Sequence, residues 1–462
     1  MNLHLIEDFI ENVAKIKSGV NKKEELKRLI YEILIREKIS IEVLIKRQEI
    51  NNILKSPIEG TPRFLALKEE LIKIRYPETV KSQEKFTVYL PRIKVPLYKI
   101  QHFDSEFKPE RIFIQKSVCN TPLSQRIINT WKNIPVEIFD SIKDIKFDKE
   151  RMLKDMGKRD IYIVEESFDI IKPCPCTKNA FCCGYVILNL GFGCPYDCSY
   201  CYLQHYANLP GIFLPANLET FFKQAKNILK KIKKRIRIGT GEFCDSLALD
   251  PFTSYSKDIL EFVKDLDLVF EFKTKSDKIE NLLEKPPLKN VVISWSLNPD
   301  SIVSSEELYT ANLYERLNAA KKVINHGYRV GFHFDPVIYY PEWEKDYSIL
   351  VKEIFNIAKG KIAWISLGTL RFYRELKTIV EQRFPEDPVF YGEFLLDPSD
   401  NKMRYPASIR EKIFKFMLEN IRLFDQDVPV YLCMEDENMW KRVFKENFSS
   451  VKKELQHKLT EY

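Results

Sequence analysis

The stretch GFGCPYDCSYCYLQ (Gly191–Gln204) carries three cysteines, Cys194, Cys198 and Cys201, in the spacing C-x3-C-x2-C. Thiolates at this spacing bind three irons of a [4Fe–4S] cluster and leave the fourth open to a small molecule, whereas an electron-transfer cluster uses four protein thiolates. A zinc site is the alternative, but it needs a fourth Cys or His at close spacing, and His205 is the nearest candidate. The stretch therefore predicts a cluster that carries out chemistry.

The segments around this stretch predict an α/β fold. The apolar run VILNLGFG (Val186–Gly193) leads into the cysteines as a buried strand. Helix-like segments separate it from five further strand-like segments, which lie at 235–243, 268–276, 291–298, 328–336 and 361–370. Steps of this kind with short links predict parallel strands in right-handed crossovers. Six steps instead of eight predict a partial (β/α)6 barrel, open on one side, with its site at the C-terminal strand ends.

The chain divides into four predicted parts. They are an N-terminal helical domain at 1–105, a small α/β domain at 106–175, the barrel core at 176–370 and a C-terminal extension at 371–462. The extension contains helices and one apolar strand at 428–435.

Composition predicts an intracellular, globular protein. The chain is 45% hydrophobic and 30% charged, and no run approaches the roughly 18 apolar residues of a membrane span. The first residues predict an amphipathic helix and no signal peptide. We therefore expect a cytoplasmic protein without membrane contact, in which ten cysteines are ligands or core residues more often than disulfides. The net charge of +7 is compatible with a polyanionic partner.

The cysteine spacing after the first strand of a six-step βα barrel resembles the radical S-adenosylmethionine superfamily. Within it the chain is similar to the spore photoproduct lyase family from about Arg111 to Trp440, most clearly in the cysteine stretch, the Lys275 segment, Ser294–Asp300 and Gly327–Tyr347. The resemblance implies a [4Fe–4S] cluster and S-adenosylmethionine, which yields a 5′-deoxyadenosyl radical on one-electron reduction. It also implies an external reductant of the flavodoxin or ferredoxin type and a DNA substrate that carries a thymine photoproduct.

The resemblance further implies a set of cofactor-binding residues at the strand ends. Glycine lets the backbone approach the cofactor, an ammonium suits its carboxylate, and hydroxyl or amide groups suit its ribose. The implied residues are Gly241, Glu242, Asp245, Lys275, Ser296 and Asn298. The alternative is that these are solvent-exposed polar strand ends.

Two tyrosines and one cysteine are the candidate catalytic residues. Tyr200 and Tyr202 match family tyrosines proposed to relay a hydrogen atom, although Tyr200 is equally explained by packing over the cluster. An alignment without gaps places Glu242 where the family has its hydrogen-donor cysteine. A carboxylate cannot quench a carbon radical as a thiol does. Cys244, two residues on, is the candidate substitute.

A second group of cysteines departs from the family. Cys174, Cys176, Cys182 and Cys183 lie within ten residues, in CPCTKNAFCCGY. Reduced thiols at this density are candidates for an auxiliary iron–sulfur cluster or a zinc ion. Adjacent cysteines rarely share one metal, so two or three would bind while the others pack.

Two polar motifs have more than one interpretation. His333 and Asp335 share one face of a strand, either as substrate contacts or as a buried hydrogen-bonded pair. Lys402–Tyr405 resembles a family run near the DNA and is either a stacking and phosphate contact or a bland exposed loop.

Three functions are compatible with these features. The first is a radical enzyme of this family that acts on nucleic acid, at a thymine photoproduct or a modified base. The second is an enzyme of the same architecture that modifies an RNA base or a peptide, which Glu242 and the helical addition at 1–105 favour. The third is a non-catalytic iron–sulfur sensor, disfavoured because the cofactor positions Lys275, Ser296 and Asn298 are filled.

Overall fold

The structure, a computed structural model, describes most of the chain. The described residues are 3–16, 19–82, 86–94, 107–145, 156, 158–165, 169–177, 180–206, 211–385, 387–398, 400–444, 454–455 and 457–460.

The strands follow one another in chain order as β1 (Arg111–Gln115), β2 (Val136–Phe139), β3 (Asp160–Val164), β4 (Ile171–Pro173), β5 (Tyr185–Leu188), β6 (Asp197–Cys198), β7 (Ile212–Pro215), β8 (Arg237–Thr240), β9 (Val269–Thr274), β10 (Val291–Ser296), β11 (Glu307–Leu308), β12 (Arg329–Val337), β13 (Ile362–Thr369), β14 (Arg371–Tyr373), β15 (Leu395–Asp397), β16 (Lys402–Arg404) and β17 (Val430–Leu432).

The α-helices span Leu3–Asp8, Val20–Glu37, Ile41–Ile45, Gln48–Lys55, Gly60–Arg75, Pro77–Ser82, Pro122–Thr130, Leu203–Tyr206, Leu218–Leu229, Asp250–Thr253, Tyr255–Val263, Glu280–Leu283, Asp300–Glu306, Leu313–His326, Trp343–Ala358, Arg374–Arg383, Ala407–Arg422 and Glu437–Phe444. No helix of the described residues is long and apolar enough to cross a membrane.

The main sheet has the strand order β17-β13-β12-β10-β9-β8-β5-β4. Six neighbouring strands of this sheet pair in parallel, namely β5, β8, β9, β10, β12 and β13. This arrangement confirms the predicted partial (β/α)6 barrel. Most residues of β9 and β10 are buried, as expected for parallel strands that are covered on both faces. The antiparallel strand β4 extends one end of the sheet, and β17, from the predicted C-terminal extension, extends the other.

A second sheet has the order β2-β1-β3-β7, and all its strands are parallel. The sequence predicts the first three strands, but β7 was missed because it is a short apolar run that contains Pro215. This strand follows the cysteine stretch along the chain. The ring of Phe213 in β7 stacks on Tyr162, which stacks on Phe113, with ring centroids 4.6 Å apart in both pairs.

The chain forms two compact units, of which the first contains Met1–Lys99, Ile338–Pro341 and Leu370–Lys412. The sequence predicts four helices in residues 1–76. The described part of this segment contains more helices than that, and several of them are short. Inside this unit the buried carboxylate of Glu32 pairs with Arg75 at 2.7 Å and with Lys377 at 2.5 Å. The second unit contains both sheets described above. The predicted four-part division of the chain stays a prediction.

Candidate active site

The cysteine loop follows β5 and is tied to its surroundings by backbone contacts. Phe192 N–H donates to the Phe213 carbonyl at 3.1 Å, which connects the loop to β7. Gly193 N–H donates to the Phe243 carbonyl at 2.9 Å. Gly193 has φ +90°, and a Cβ atom there would lie 2.4 Å from the Gly211 carbonyl oxygen. The position therefore requires glycine, both for its conformation and for its space.

The three thiols of the loop are free and differ in burial. Cys198 is buried in β6, which pairs with β11, and burial raises the pKa of its thiol to about 12. Burial, and then the charge of Asp245, raises the pKa of Cys194. Cys201 N–H donates to the Cys198 carbonyl at 3.1 Å, and Cys194 and Cys201 line the same cavity. Three thiols on one loop are the donor set of a cluster with one open iron, so these residue types fit the predicted [4Fe–4S] group.

A buried charge network lies beside the loop. Glu307 of β11 pairs with Arg316 at 2.6 Å and lies 3.9 Å from Lys275 Nζ. Burial opposes ionisation of Glu307, but the charges of Arg316 and Lys275 lower its pKa to about 2. Tyr200 O–H donates to the Glu307 carboxylate, and Asn298 Nδ2 donates to the same carboxylate at 2.9 Å. Glu307 therefore organises Lys275, Asn298 and Tyr200, three residues that the sequence places in the site.

The element after β8 carries a second ion pair. Glu242 pairs with Lys273 at 2.9 Å, and its backbone carbonyl accepts a hydrogen bond from Tyr202 O–H. Burial alone would lower the pKa of Lys273, but the charge of Glu242 raises it. Gly241 has φ +97°, and a Cβ there would lie 2.5 Å from the Lys273 carbonyl oxygen. The structure thus brings Tyr202 to Glu242, the residue that the alignment without gaps predicts at the family's donor-cysteine position.

Asp245 holds the adjacent turn in place. Its carboxylate accepts hydrogen bonds from Thr274 O–H at 2.6 Å and Lys275 N–H at 2.7 Å. It also accepts from the backbone N–H groups of Leu247 and Ala248 at 3.0 and 2.9 Å. These bonds fix the end of β9, and with it the backbone from which the Lys275 side chain starts.

Cys244, the candidate hydrogen donor, lies beyond the end of β8. The chain leaves β8 at Thr240, so Cys244 does not share a continued strand with Glu242. Its thiol donates to the Leu190 carbonyl at 3.8 Å, and burial raises its pKa to about 12. Ser296 ends β10, and its backbone carbonyl accepts from Arg316 at 3.0 Å.

Two further motifs differ from their predicted interpretations. His333 Nε2 lies 2.7 Å from Glu271 Oε1, so a glutamate of β9, in the same sheet, is a buried partner of the histidine. Lys402–Arg404 forms β16, and Tyr405 is buried and stacks on Phe394 at 4.4 Å. Tyr405 is therefore neither an exposed wedge nor part of an exposed loop.

Sequence reasoning missed Glu307, Arg316 and Lys273. Glu307 and Arg316 lie outside the quoted family motifs, and Lys273 pairs with Glu242, which is 31 positions away along the chain. The one available signal was the alternation of Glu271, Lys273 and Lys275, which puts three charged side chains on one face of the predicted strand at 268–276.

A six-stranded parallel half-barrel with a three-cysteine loop after its first strand is the architecture of radical S-adenosylmethionine proteins. The chain belongs to the spore photoproduct lyase family, whose model matches residues 107–407.

Curated relatives and solved structures agree with this assignment. The spore photoproduct lyase of Clostridium acetobutylicum is 24% identical over 336 residues, which cover 68% of this chain and 95% of that protein. The one from a Geobacillus species is 25% identical over 315 residues, which cover 65% and 87%. A solved spore photoproduct lyase complexed with dinucleoside spore photoproduct has a TM-score of 0.62 at 23% identity and covers 71% of this chain and 99% of its own. A mutant with bound AdoMet and dinucleoside spore photoproduct has a TM-score of 0.59 at 21% identity, with coverages of 71% and 98%.

Proposed function

We propose that this chain is a radical S-adenosylmethionine lyase that acts on a thymine photoproduct in DNA. The observation that carries the proposal is the loop of Cys194, Cys198 and Cys201 at the end of β5, in a chain of the spore photoproduct lyase family. Neighbouring structures hold AdoMet and dinucleoside spore photoproduct, which supports the same cofactor and substrate class here. When bound, the cluster and cofactor supply a 5′-deoxyadenosyl radical on one-electron reduction.

In this proposal the protein binds and orients the cofactor through charges fixed in advance. Burial would lower the pKa of Lys275, but the charge of Glu307 raises it, which keeps an ammonium available for the cofactor's carboxylate. Gly241 brings backbone close to the cofactor's amine, and Ser296 and Asn298 supply polar groups for its ribose. Asp245 acts here by positioning Lys275, through the bond to the Lys275 N–H.

Tyr200 and Tyr202 are the proposed hydrogen-atom relay, and Cys244 is the proposed donor. Tyr202 is held at Glu242, while Tyr200 O–H donates to the Glu307 carboxylate. A Cys244→Ala variant that kept full repair activity would exclude this thiol as the donor.

A second candidate function follows from the ion pair between Glu242 and Lys273. A carboxylate at the family's donor position favours a radical enzyme that modifies another substrate, such as an RNA base or a peptide. A salt-bridged carboxylate supplies no hydrogen atom, so such an enzyme would finish its reaction differently.

The decisive experiment uses anaerobically reconstituted, chemically reduced protein with S-adenosylmethionine and a spore photoproduct dinucleotide. We expect 5′-deoxyadenosine and conversion of the photoproduct to two thymines, measured by chromatography. Cofactor cleavage with unchanged photoproduct would reject lesion repair and leave the second function. An intact cluster without 5′-deoxyadenosine would reject both enzymes and leave the sensor.

Three finer parts of the function are also proposals. We infer an external one-electron reductant of the flavodoxin or ferredoxin type, because cofactor cleavage consumes one electron. We infer a cytoplasmic location, since all ten cysteines are free thiols, as in a reducing compartment. The upstream cysteines, Cys174, Cys176, Cys182 and Cys183, are the proposed second metal site, because reduced thiols at this density are candidate metal ligands.

A further inference from the structure

The second sheet lies against one side of the cysteine loop. Phe192 of the loop and Phe213 of β7 exchange two backbone hydrogen bonds, of 3.1 and 2.8 Å. Gly211 N–H, just before β7, donates to the Met156 carbonyl at 3.0 Å. The segment before β3, which contains Met156 and Lys158, is therefore held beside the loop.

A cavity separates this segment from the loop. Cys194 and Cys201, two of the three proposed iron ligands, line the cavity from the loop, and Met156 and Lys158 line it from the segment before β3. Among the described residues that line the cavity, Lys158 is the one that carries a charge. A positively charged residue therefore lines the cavity that two of the ligand cysteines share.

Lys158 is bound to the loop by two contacts. Its Nζ lies 2.9 Å from Asp197 Oδ1 and donates to the Tyr196 carbonyl. Both partners belong to the short segment between Cys194 and Cys198. The side chains of Lys158 and Asp197 are only 15% and 6% exposed, so solvent screens this ion pair weakly. A buried ion pair thus ties the segment between two ligand cysteines to a residue outside the loop.

We propose that Lys158 is a positioning residue for the cluster, which holds the loop through Asp197 and raises the reduction potential of the cluster. The inference rests on the proposed function, since it requires that the loop bind a [4Fe–4S] group. Reduction adds one negative charge to a cluster, and a fixed positive charge nearby stabilises the reduced state more than the oxidised state. Net charge, hydrogen bonds and solvent exposure set the potentials of such clusters.

The ion pair makes it possible to separate an electrostatic role from a purely structural one. Removal of either partner leaves the other buried and unpaired, which destabilises the fold in both cases. The effects on the potential differ in sign, because Lys158→Met leaves the Asp197 carboxylate and Asp197→Asn leaves the Lys158 ammonium. The first variant should therefore lower the potential of the cluster, and the second should raise it.

The test uses full-length protein that is reconstituted anaerobically without S-adenosylmethionine. A redox titration at pH 8 follows the reduced cluster by electron paramagnetic resonance. At the wild-type midpoint we expect the ratio of reduced to oxidised cluster to fall about tenfold in Lys158→Met and to rise about tenfold in Asp197→Asn. A tenfold change corresponds to about 59 mV for a one-electron couple. The double variant, which removes both charges, should stay within about twofold of the wild type.

Two controls isolate the charge of Lys158. Lys158→Arg keeps the positive charge and should restore the wild-type potential. Lys257→Met and Glu284→Gln break a matched ion pair whose side chains are 35% and 55% exposed. Neither of these two variants should move the potential, because solvent and salt screen exposed charges.

Three results would leave Lys158 with a structural role only and so overturn the proposal. They are unchanged potentials in both single variants, shifts of the same sign in both, and a potential in Lys158→Arg as low as in Lys158→Met. Loss of iron from both single variants would overturn it as well. If Lys158→Met alone loses its iron, Asp197→Asn decides, because only the electrostatic role raises its potential.

Failure of the proposed function gives a different result. A wild-type protein that binds no cluster would reject the proposed function and this inference together. Opposite shifts of the potential in a protein that forms no 5′-deoxyadenosine would reject the enzyme and retain the role of Lys158.

Discussion

The chain carries two groups of cysteines, one before β5 and one after it along the chain, and their surroundings differ. In the loop of Cys194, Cys198 and Cys201, strand pairing sets Cys198 opposite Glu307, and Gly193 lies against the backbone of Gly211. In the upstream group, backbone hydrogen bonds hold the connection at Cys174 and at Phe181, and the sulfur of Cys183 accepts from Arg237. The comparison teaches that cysteine density alone does not describe a site, because the surrounding backbone and charges differ between the two groups.

The largest effect is expected at the loop. A Cys198→Ser variant should lose the cluster's absorption, and cofactor cleavage should fall to the assay background, because serine replaces an iron ligand. Cys119→Ser is the matched control and should keep both the absorption and the cofactor cleavage, since Cys119 lies outside the loop. Full cofactor cleavage by Cys198→Ser would show that Cys198 is not an iron ligand.

The next largest effect is expected at the buried charge network that lies beside the loop. Glu307→Gln should lower the free energy of unfolding by about 3–5 kcal/mol, because Arg316 and Lys275 remain as buried, uncompensated charges. Denaturant unfolding of both proteins measures this difference in the free energy of unfolding. Glu284→Gln, at an exposed pair with Lys257, is the matched control and should cost about 0–1 kcal/mol. Equal costs at the two positions would contradict a buried role for Glu307.

The same carboxylate predicts a pH dependence. The pKa of Glu307 is lowered to about 2 from its usual 4.5, so its stabilisation is complete above pH 4.5 and is lost as the pH falls towards 2. The stability difference between the wild type and Glu307→Gln should therefore shrink between pH 4.5 and pH 2. Unfolding curves at several pH values measure this, and a constant difference would show that Glu307 is not ionised in the folded protein.

A smaller effect on stability is expected when one glycine from each region is replaced by alanine. Gly193→Ala puts a Cβ 2.4 Å from a backbone oxygen at φ +90°, whereas Gly184, at φ +80°, has nothing within 4 Å of its Cβ position. Gly184→Ala should cost about 1–2 kcal/mol for its left-handed conformation alone. Gly193→Ala should cost more, by about 1–3 kcal/mol, and should lower the iron content after reconstitution. Similar melting temperatures and iron contents would mean that the loop tolerates displacement.

Much of the fold could be predicted from the sequence, because apolar runs and their spacing report which strands are buried. The six parallel strands β5, β8, β9, β10, β12 and β13 were predicted in the correct order, and the predicted family of the chain was confirmed. The pairing of β7 with β3 was missed, because a four-residue run carries too little periodicity. The burial of Tyr405 was missed as well, since a basic run beside an aromatic gives no sign of what packs on it.

The sequence by itself determined the three-cysteine loop, the order of the barrel strands and the family, because these depend on residue type and local spacing. Only the tertiary structure decided which charges surround them. Glu307 meets Cys198 across a strand pair more than a hundred residues apart in sequence, and Lys273 meets Glu242 from the neighbouring strand. The contact between Arg237 and the Cys183 sulfur, at 3.1 Å, was decided in the same way. Such contacts form when segments that are far apart in sequence pack against one another, and local sequence patterns do not encode that packing.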